Sequence, residues 1–158
     1  MATEARLEIQ DLDFSDSAET DDKNRLRIIS CSFGFSQIKE EHQVGRSGTN
    51  YQYEIVTRVQ AGHIKITIPT VRSPDLMNWM ITRHLKHKGK ITFIGLTETG
   101  VKQEMESLEF EEALLVDLKE EFYEDKQMIT HLTILSPIIK ISNMEWKTET
   151  MYSSKDDI

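Results

Sequence analysis

Along most of the chain, hydrophobic residues recur with period two rather than 3.6, the mark of strands with one buried and one wet face. Ala5, Leu7 and Ile9 open a first short strand. Arg25 to Gln37 returns to the same chemistry, with Ile29, Cys31, Phe33 and Phe35 on one face. Tyr51, Tyr53, Ile55, Thr57 and Val59 alternate with Gln52, Glu54 and Arg58. After a turn at Ala61 and Gly62, Ile64, Ile66 and Ile68 alternate with His63, Lys65 and Thr67, so the two runs predict a hairpin. Ile91 to Leu96 leads into a turn at Glu98, Thr99 and Gly100. Beyond it, Leu108, Phe110, Leu114, Val116 and Leu118 keep one phase, while Val101, Gln103 and Met105 occupy the other. A bulge is expected between them, near Glu106 and Ser107. Met128 to Ile141 reads as the last strong strand.

One stretch has helical spacing. Ser73 offers a capping hydroxyl, Pro74 suits a first helical position and Asp75 supplies an acid to the first turn. Leu76, Trp79 and Met80 follow, and Gly89 marks the stop. The helix is expected over about residues 74–86, with Arg83, His84, Lys86, His87 and Lys88 complementing its C-terminal dipole. Seven or eight strands and one helix with short links predict a mainly β protein: a two-sheet barrel or sandwich of mostly antiparallel strands with one flanking α-helix.

Three segments fall outside the pattern. Residues 15–24 are acidic and polar and read as a loop; residues 38–50 carry charges and two glycines without periodicity and read as a long irregular loop; residues 152–158 read as a disordered tail. At 158 residues the chain is expected to be a single domain.

Composition narrows the function. Acidic residues outnumber basic ones 27 to 19, a formal charge of −8, which argues against a nucleic-acid partner. Cys31 is the single cysteine, so no internal disulfide or multi-cysteine metal cage is available. The N-terminal residues lack the apolar core of a signal peptide, and no apolar run approaches the ~18 residues of a membrane span. Synthesis in the cytoplasm, without membrane insertion, is expected.

Candidate chemistry is sparse. Asp11, Asp13, Asp16, Asp21 and Asp22 invite a calcium reading, but an EF-hand counted from Asp11 would need glycine where Asp16 stands and glutamate where Asp22 stands. His84 and His87 have helix spacing but no companion ligand, and His42, His63 and His131 fall on other segments. Cys31 sits between Ile29 and Phe33 as a small buried hydrophobe. There is no Gly-rich phosphate loop and no G-x-S-x-G elbow. No catalytic residue, cofactor or metal site is predicted, and the chain is expected not to be an enzyme.

The C-terminal half carries a more specific pattern. Leu108, Phe110, Ala113 and Val116 are followed in order by Glu121 and Phe122, Met128, Ser136, and Ile139, Ile141, Asn143 and Glu145. This resembles the hemolysin-coregulated protein (Hcp) family, the tube subunit of type VI secretion, in the form found in Bacteroidetes-type systems. There an L-x-F-x-x-A-x-x-V strand runs into an E-x-F segment, a methionine-started strand and an I-x-I-x-N-x-E ending. Ser30, Cys31, Ser32 and Phe33 resemble the family's early C-S-aromatic strand, and the helix at Ser73 to Leu76 falls where the family places its long helix. The resemblance spans roughly residues 5–147.

It implies a homo-oligomer: hexameric rings stacked into a hollow tube, with a spike protein, a contractile sheath and effector proteins in the lumen as partners. It also implies assembly in the cytoplasm and secretion by injection without a signal peptide. In that frame the segment 38–50 is the expected ring-stacking element, with Glu40, Glu41, Gln43, Gly45, Arg46 and Gly48 as candidate contacts. Two other readings stay open: the tube protein of a phage-like or extracellular contractile injection system, and a monomeric lipocalin-like barrel that binds a small molecule.

Overall fold

In the computed structural model the backbone is described for residues 2–47, 50–60, 62–142 and 144–147, and side chains for residues 2–35 and 62–142. The elements are β1 (Ala2–Ile9), β2 (Leu26–Arg27), β3 (Ser30–Phe33), β4 (Ser36–Ser47), β5 (Asn50–Gln60), β6 (His63–Pro69), α1 (Asp75–Ile81), β7 (His87–Leu96), β8 (Lys102–Tyr123), β9 (Lys126–Leu135), β10 (Ile138–Ile141) and β11 (Met144–Lys147). Every described pairing is antiparallel. The mainly β architecture with one helix matches the sequence expectation.

The 22-residue β8 organises the fold. Its first half lies between β7 and β10, in a sheet that runs β2-β1-β7-β8-β10-β11. Its second half pairs with β9, in a sheet that runs β8-β9-β6-β3. One strand serves both sheets because bulges bend it. The register slips past Met105, one residue from the expected bulge, then again at the turn of backbone around Glu112, whose φ is 54°, and at Val116. Each slip resets which side chains face inward. Leu108 and Phe110 are buried, then Ala113 and Leu115, with Leu118 packed partly against the core. The uninterrupted phase through Leu114 and Val116 is therefore wrong: Val116 is 40 % exposed.

Among the described residues, hydrogen bonds do not close the ladder into a barrel; its path ends at β2 and β3. The chain itself spans the gap. Ile28 N–H donates to the Ala5 carbonyl on β1, and Ile29 N–H donates to the Thr67 carbonyl on β6, so neighbouring residues bond to opposite sheet ends. This crossing breaks the strand expected over 25–37 into β2, β3 and β4 and leaves Ile29, Phe33 and Phe35 partly exposed rather than on one buried face. Between the sheets, Leu7, Ile9, Phe14, Leu26, Ile64, Ile66, Ile68, Ile91, Phe110, Leu132 and Ile134 form the core.

Four further expectations are corrected. Residues 38–47 form β4 rather than an irregular loop, and β4 pairs with β5. The β5–β6 hairpin is not made: β6 lies between β3 and β9, and Ala61 is outside the described residues. Gly62, at φ 104°, accepts from Ser136 N–H so closely that a Cβ there would lie 2.6 Å from the Ser136 carbonyl oxygen, which ties β6 to the end of β9. The last strand is divided at Ser136 and Pro137 into β9 and β10. The helix ends at Ile81 instead of 86, with Thr82 extended and His84 at φ 62°; Gly89 is inside β7, and no basic residue occupies the last helical turn. The expected tail, 152–158, lies outside the described residues.

Candidate assembly surfaces

The segment 15–24 lies between strands and is built of hydrogen-bonded turns. Asn24 accepts from Phe14 N–H at 2.8 Å and donates to the Leu12 carbonyl at 2.9 Å, which holds Leu12 and Phe14 in the core. Asp21 accepts from the backbone N–H of Lys23 and Arg25 and from Arg25 Nε at 2.8 Å. Burial pushes the Asp21 carboxyl up, and the Arg25 bonds outweigh it, leaving it below the usual carboxylate range. Asp13 is likewise lowered by its hydrogen bond from Ser15. These carboxylates are occupied by the turn. Among the described residues, no three His, Cys, Asp or Glu side chains are grouped to hold a metal ion.

The outward face of the β8-β9-β6-β3 sheet carries the densest polar network. His131 Nδ1 is 2.8 Å from Thr67 Oγ1, and its Nε2 is 3.4 Å from a Glu121 carboxylate oxygen. Lys119 Nζ, at 2.9 Å, and the Tyr123 hydroxyl, at 3.0 Å, donate to the same carboxylate. Those donors, Lys119 first, hold the Glu121 carboxyl down at about 2. Hydroxyl, imidazole and carboxylate stand in a row across three neighbouring strands. Thr67 is buried within its strand. What the row accomplishes is to stitch β6, β9 and β8 together. His84 and His87 are separated by the bend after α1: His84 is exposed, and His87 packs edge-on against Trp79 at 5.0 Å.

The Cys31 thiol, half-buried beside the core, is pushed up to about 11 by burial. It is the inert small residue the sequence implied.

Two features bear on assembly. In the β8-β9-β6-β3 sheet, β3 and the 114–123 half of β8 each pair on one side only among the described residues. Sequence reading missed both, because an edge is a property of topology with no residue signature. The second feature is the β4–β5 hairpin, a two-stranded sheet of its own. Of the candidate stacking residues, Glu40 lies opposite Val56, Glu41 opposite Ile55, Gln43 opposite Tyr53, Gly45 opposite Gln52 and Arg46 opposite Tyr51, with a register slip between Gln43 and Gly45. Gly48 is outside the described residues. Twelve extended residues in β4 reach roughly 40 Å.

Comparison with known proteins agrees with this architecture. The family model for hemolysin coregulated protein Hcp (TssD) matches residues 1–149. Hcp1 from Flavobacterium johnsoniae superposes with a TM-score of 0.65 at 18% identity, covering 92% of this chain and 100% of that one. Hcp1 from the E. coli EAEC 042 pathovar gives 0.66 at 10% identity, covering 93% and 98%. The sheath–tube complex of an extracellular contractile injection system, in its extended state, gives 0.57 at 11% identity, covering 89% and 88%. At these identities the structures establish a shared fold. No relative was found among curated protein sequences.

Proposed function

The chain belongs to the Hcp (TssD) family, the tube subunits of type VI secretion, and we propose that six copies close into a ring and that rings stack into the tube. The family match over residues 1–149 carries this reading. The geometry supports it in two ways. A sheet whose two ends, β3 and the second half of β8, are unpaired among the described residues is suited to a head-to-tail contact in which one copy's edge meets the other edge of the next; such heterologous contacts close rings or extend filaments. A two-stranded hairpin is marginal by itself in water, so β4–β5 gains from resting on a neighbour. That supports Glu40, Glu41, Gln43, Gly45, Arg46 and Gly48 as the proposed ring-to-ring contact.

The tube acts as a structural conduit and not as an enzyme; membership of a tube-protein family supports this. The sheath surrounds the tube, a spike protein tips it, and effectors travel in the lumen. The subunit is assembled in the cytoplasm and leaves by injection. No described helix is long and apolar enough to cross a membrane.

Light scattering on a sizing column with negative-stain imaging tests the ring. Annular particles of six times 18.3 kDa are expected, and a monomer at all concentrations with purified sheath and spike present refutes it. The stacking assignment is tested by Glu40→Lys with Glu41→Lys. Crosslinking between rings is expected to fall while ring mass is kept. Unchanged stacking removes the hairpin from that role.

A further inference from the structure

Between Asp75 and Glu98 the chain contains no acidic residue, although it has 27 of them. The same interval holds Arg83, His84, Lys86, His87, Lys88 and Lys90. The helix dipole does not explain this run, because α1 ends before it and its last turn has no basic residue. The run instead forms a braced corner. Trp79, 1 % exposed, donates its indole N–H to the Leu85 carbonyl at 3.0 Å, and the His87 ring packs edge-on against the same indole. Leu85 N–H in turn donates to the Thr82 carbonyl at 3.3 Å, and His84 holds the bend with its positive φ. A buried indole thus fixes the backbone from which Arg83, His84, Lys86 and Lys88 reach the surface.

Beside them, one helical turn apart, Met77 and Ile81 are 45 % and 72 % exposed. Four residues apart on a helix is the spacing of a shared face, so the corner offers an apolar pair next to a cationic rim. Lys88, 62 % exposed, stands 4.0 Å from Glu111, a distant and weak pairing.

We infer that this corner, α1 with residues 82–88, is a docking site for an acidic segment of another protein, one that sets an apolar side chain on Met77 and Ile81 and carboxylates against Arg83 and Lys88. Charge complementarity selects the partner. A cationic run bordered by Asp11, Asp75 and Glu111, on a chain of net charge −8, attracts a local acidic segment, whereas an extended polyanion such as duplex DNA, or an anionic membrane, also meets these acids and the repelling remainder. The apolar pair calls for an apolar partner, which duplex DNA does not offer. The inference is independent of ring closure.

The test uses the 15N-labelled full chain and a soluble helical peptide with leucines four residues apart, flanked by glutamates. Amide shifts confined to about residues 77–90 are expected, with binding that weakens as salt is raised. Arg83→Glu with Lys88→Glu is expected to weaken binding ~tenfold or more, and Ile81→Ser to weaken it separately. An unchanged Trp79 indole signal certifies that each variant is folded. Absence of shifts at saturating peptide overturns the inference, as do variants that bind like the parent. Tighter binding of duplex DNA or phosphatidylserine vesicles through the same residues overturns it in favour of a polyanion surface. The same shifts appearing on concentration alone, without peptide, overturn it in favour of a contact between copies.

Discussion

Gly89 is the position where the packing makes the sharpest demand. It sits in β7 opposite Ile9 on β1 and Phe110 on β8. A Cβ added there would lie 2.4 Å from Phe110 Cζ, 2.7 Å from its Cε2 and 2.7 Å from the Glu8 carbonyl oxygen. Carbon atoms in contact rest about 3.5–4.0 Å apart, so the overlap with the ring exceeds roughly 1 Å. Phe110 is 0 % exposed and cannot swing into solvent, and Glu8 contributes backbone held in the β1–β7 ladder. Overpacking of a core ordinarily costs about 1–3 kcal/mol, and two unyielding neighbours place Gly89→Ala near the top of that range. Alanine's smaller entropy loss returns about 0.5–1 kcal/mol, leaving a net destabilisation of about 2 kcal/mol.

The assay is urea denaturation at fixed protein concentration, followed by the fluorescence of the two tryptophans, Trp79 and Trp146. Phe110→Leu should cost less in the Gly89→Ala background than in the parent, because it removes part of the overlap; a coupling of about 1 kcal/mol is expected. It should not restore full stability, since the Glu8 carbonyl remains in the way. A Gly89→Ala protein within about 0.5 kcal/mol of the parent, or a coupling of zero, refutes the reasoning.

Three other expectations follow from single groups. With its thiol pushed up to about 11, Cys31 should be alkylated at about pH 8 roughly two orders of magnitude more slowly than a small free thiol; equal rates would contradict its burial. Ser136 is 0 % exposed, and its Oγ lies 2.8 Å from the carbonyls of both Glu111 and Ile138, so Ser136→Ala should lower the unfolding free energy by about 1–3 kcal/mol in urea titrations. Burial lowers the His87 imidazole below the usual histidine value of about 6.5, against the opposing pull of Asp11 and Asp75. The unfolded chain therefore binds more protons than the folded one in the window just below 6.5, and stability falls as pH drops through that window to the folded value. His87→Gln should flatten that part of the profile, and an unchanged slope between about pH 7 and 5 would dismiss the effect.

Where burial alternates without interruption, the sequence displays it: Ile64, Ile66 and Ile68 face the core as their spacing implies, and so do Leu7 and Ile9. The bulge in β8 was legible to within a residue because the two phases of apolar residues collide there. The bulges at Glu112 and Val116 had no such signal. Ala113, Leu114, Leu115 and Val116 are all apolar, so either phase satisfies the pattern, and the choice is made by β7 and β9 pairing from opposite sides. The β4 strand was illegible for another reason. Its charges and glycine give no alternation, and its conformation depends on β5, whose own pattern is strong but whose partner was misassigned to β6. The helix was overlong because propensity extends past Ile81, while the Trp79 indole, by bonding to Leu85, draws the chain into a bend. As for the candidate site, its residues could be placed on one segment, but the two unpaired edges follow from the order of strands alone.

The sharing of β8 between the two sheets has a mechanical consequence for a subunit that must withstand propulsion. Both open edges of the β8-β9-β6-β3 sheet are anchored in the other sheet: β8 directly, and β3 through Ile28 and Ile29, which bond to β1 and β6 in succession. A pull on either edge is thus passed along the chain into the other sheet. In an ordinary sandwich an edge strand is the first part to loosen. Here the bulges that cost β8 its regular register let it belong to both sheets, and a load on either edge is spread across the core. If that is so, lengthening the Ile28–Ile29 crossing by a glycine should loosen β3 and β1 together. Hydrogen exchange is then expected to rise at the amides of both Ile28 and Ile29, which donate to Ala5 and Thr67, in the same variant; a rise at Ile29 with Ile28 unchanged would show that the two sheets yield separately.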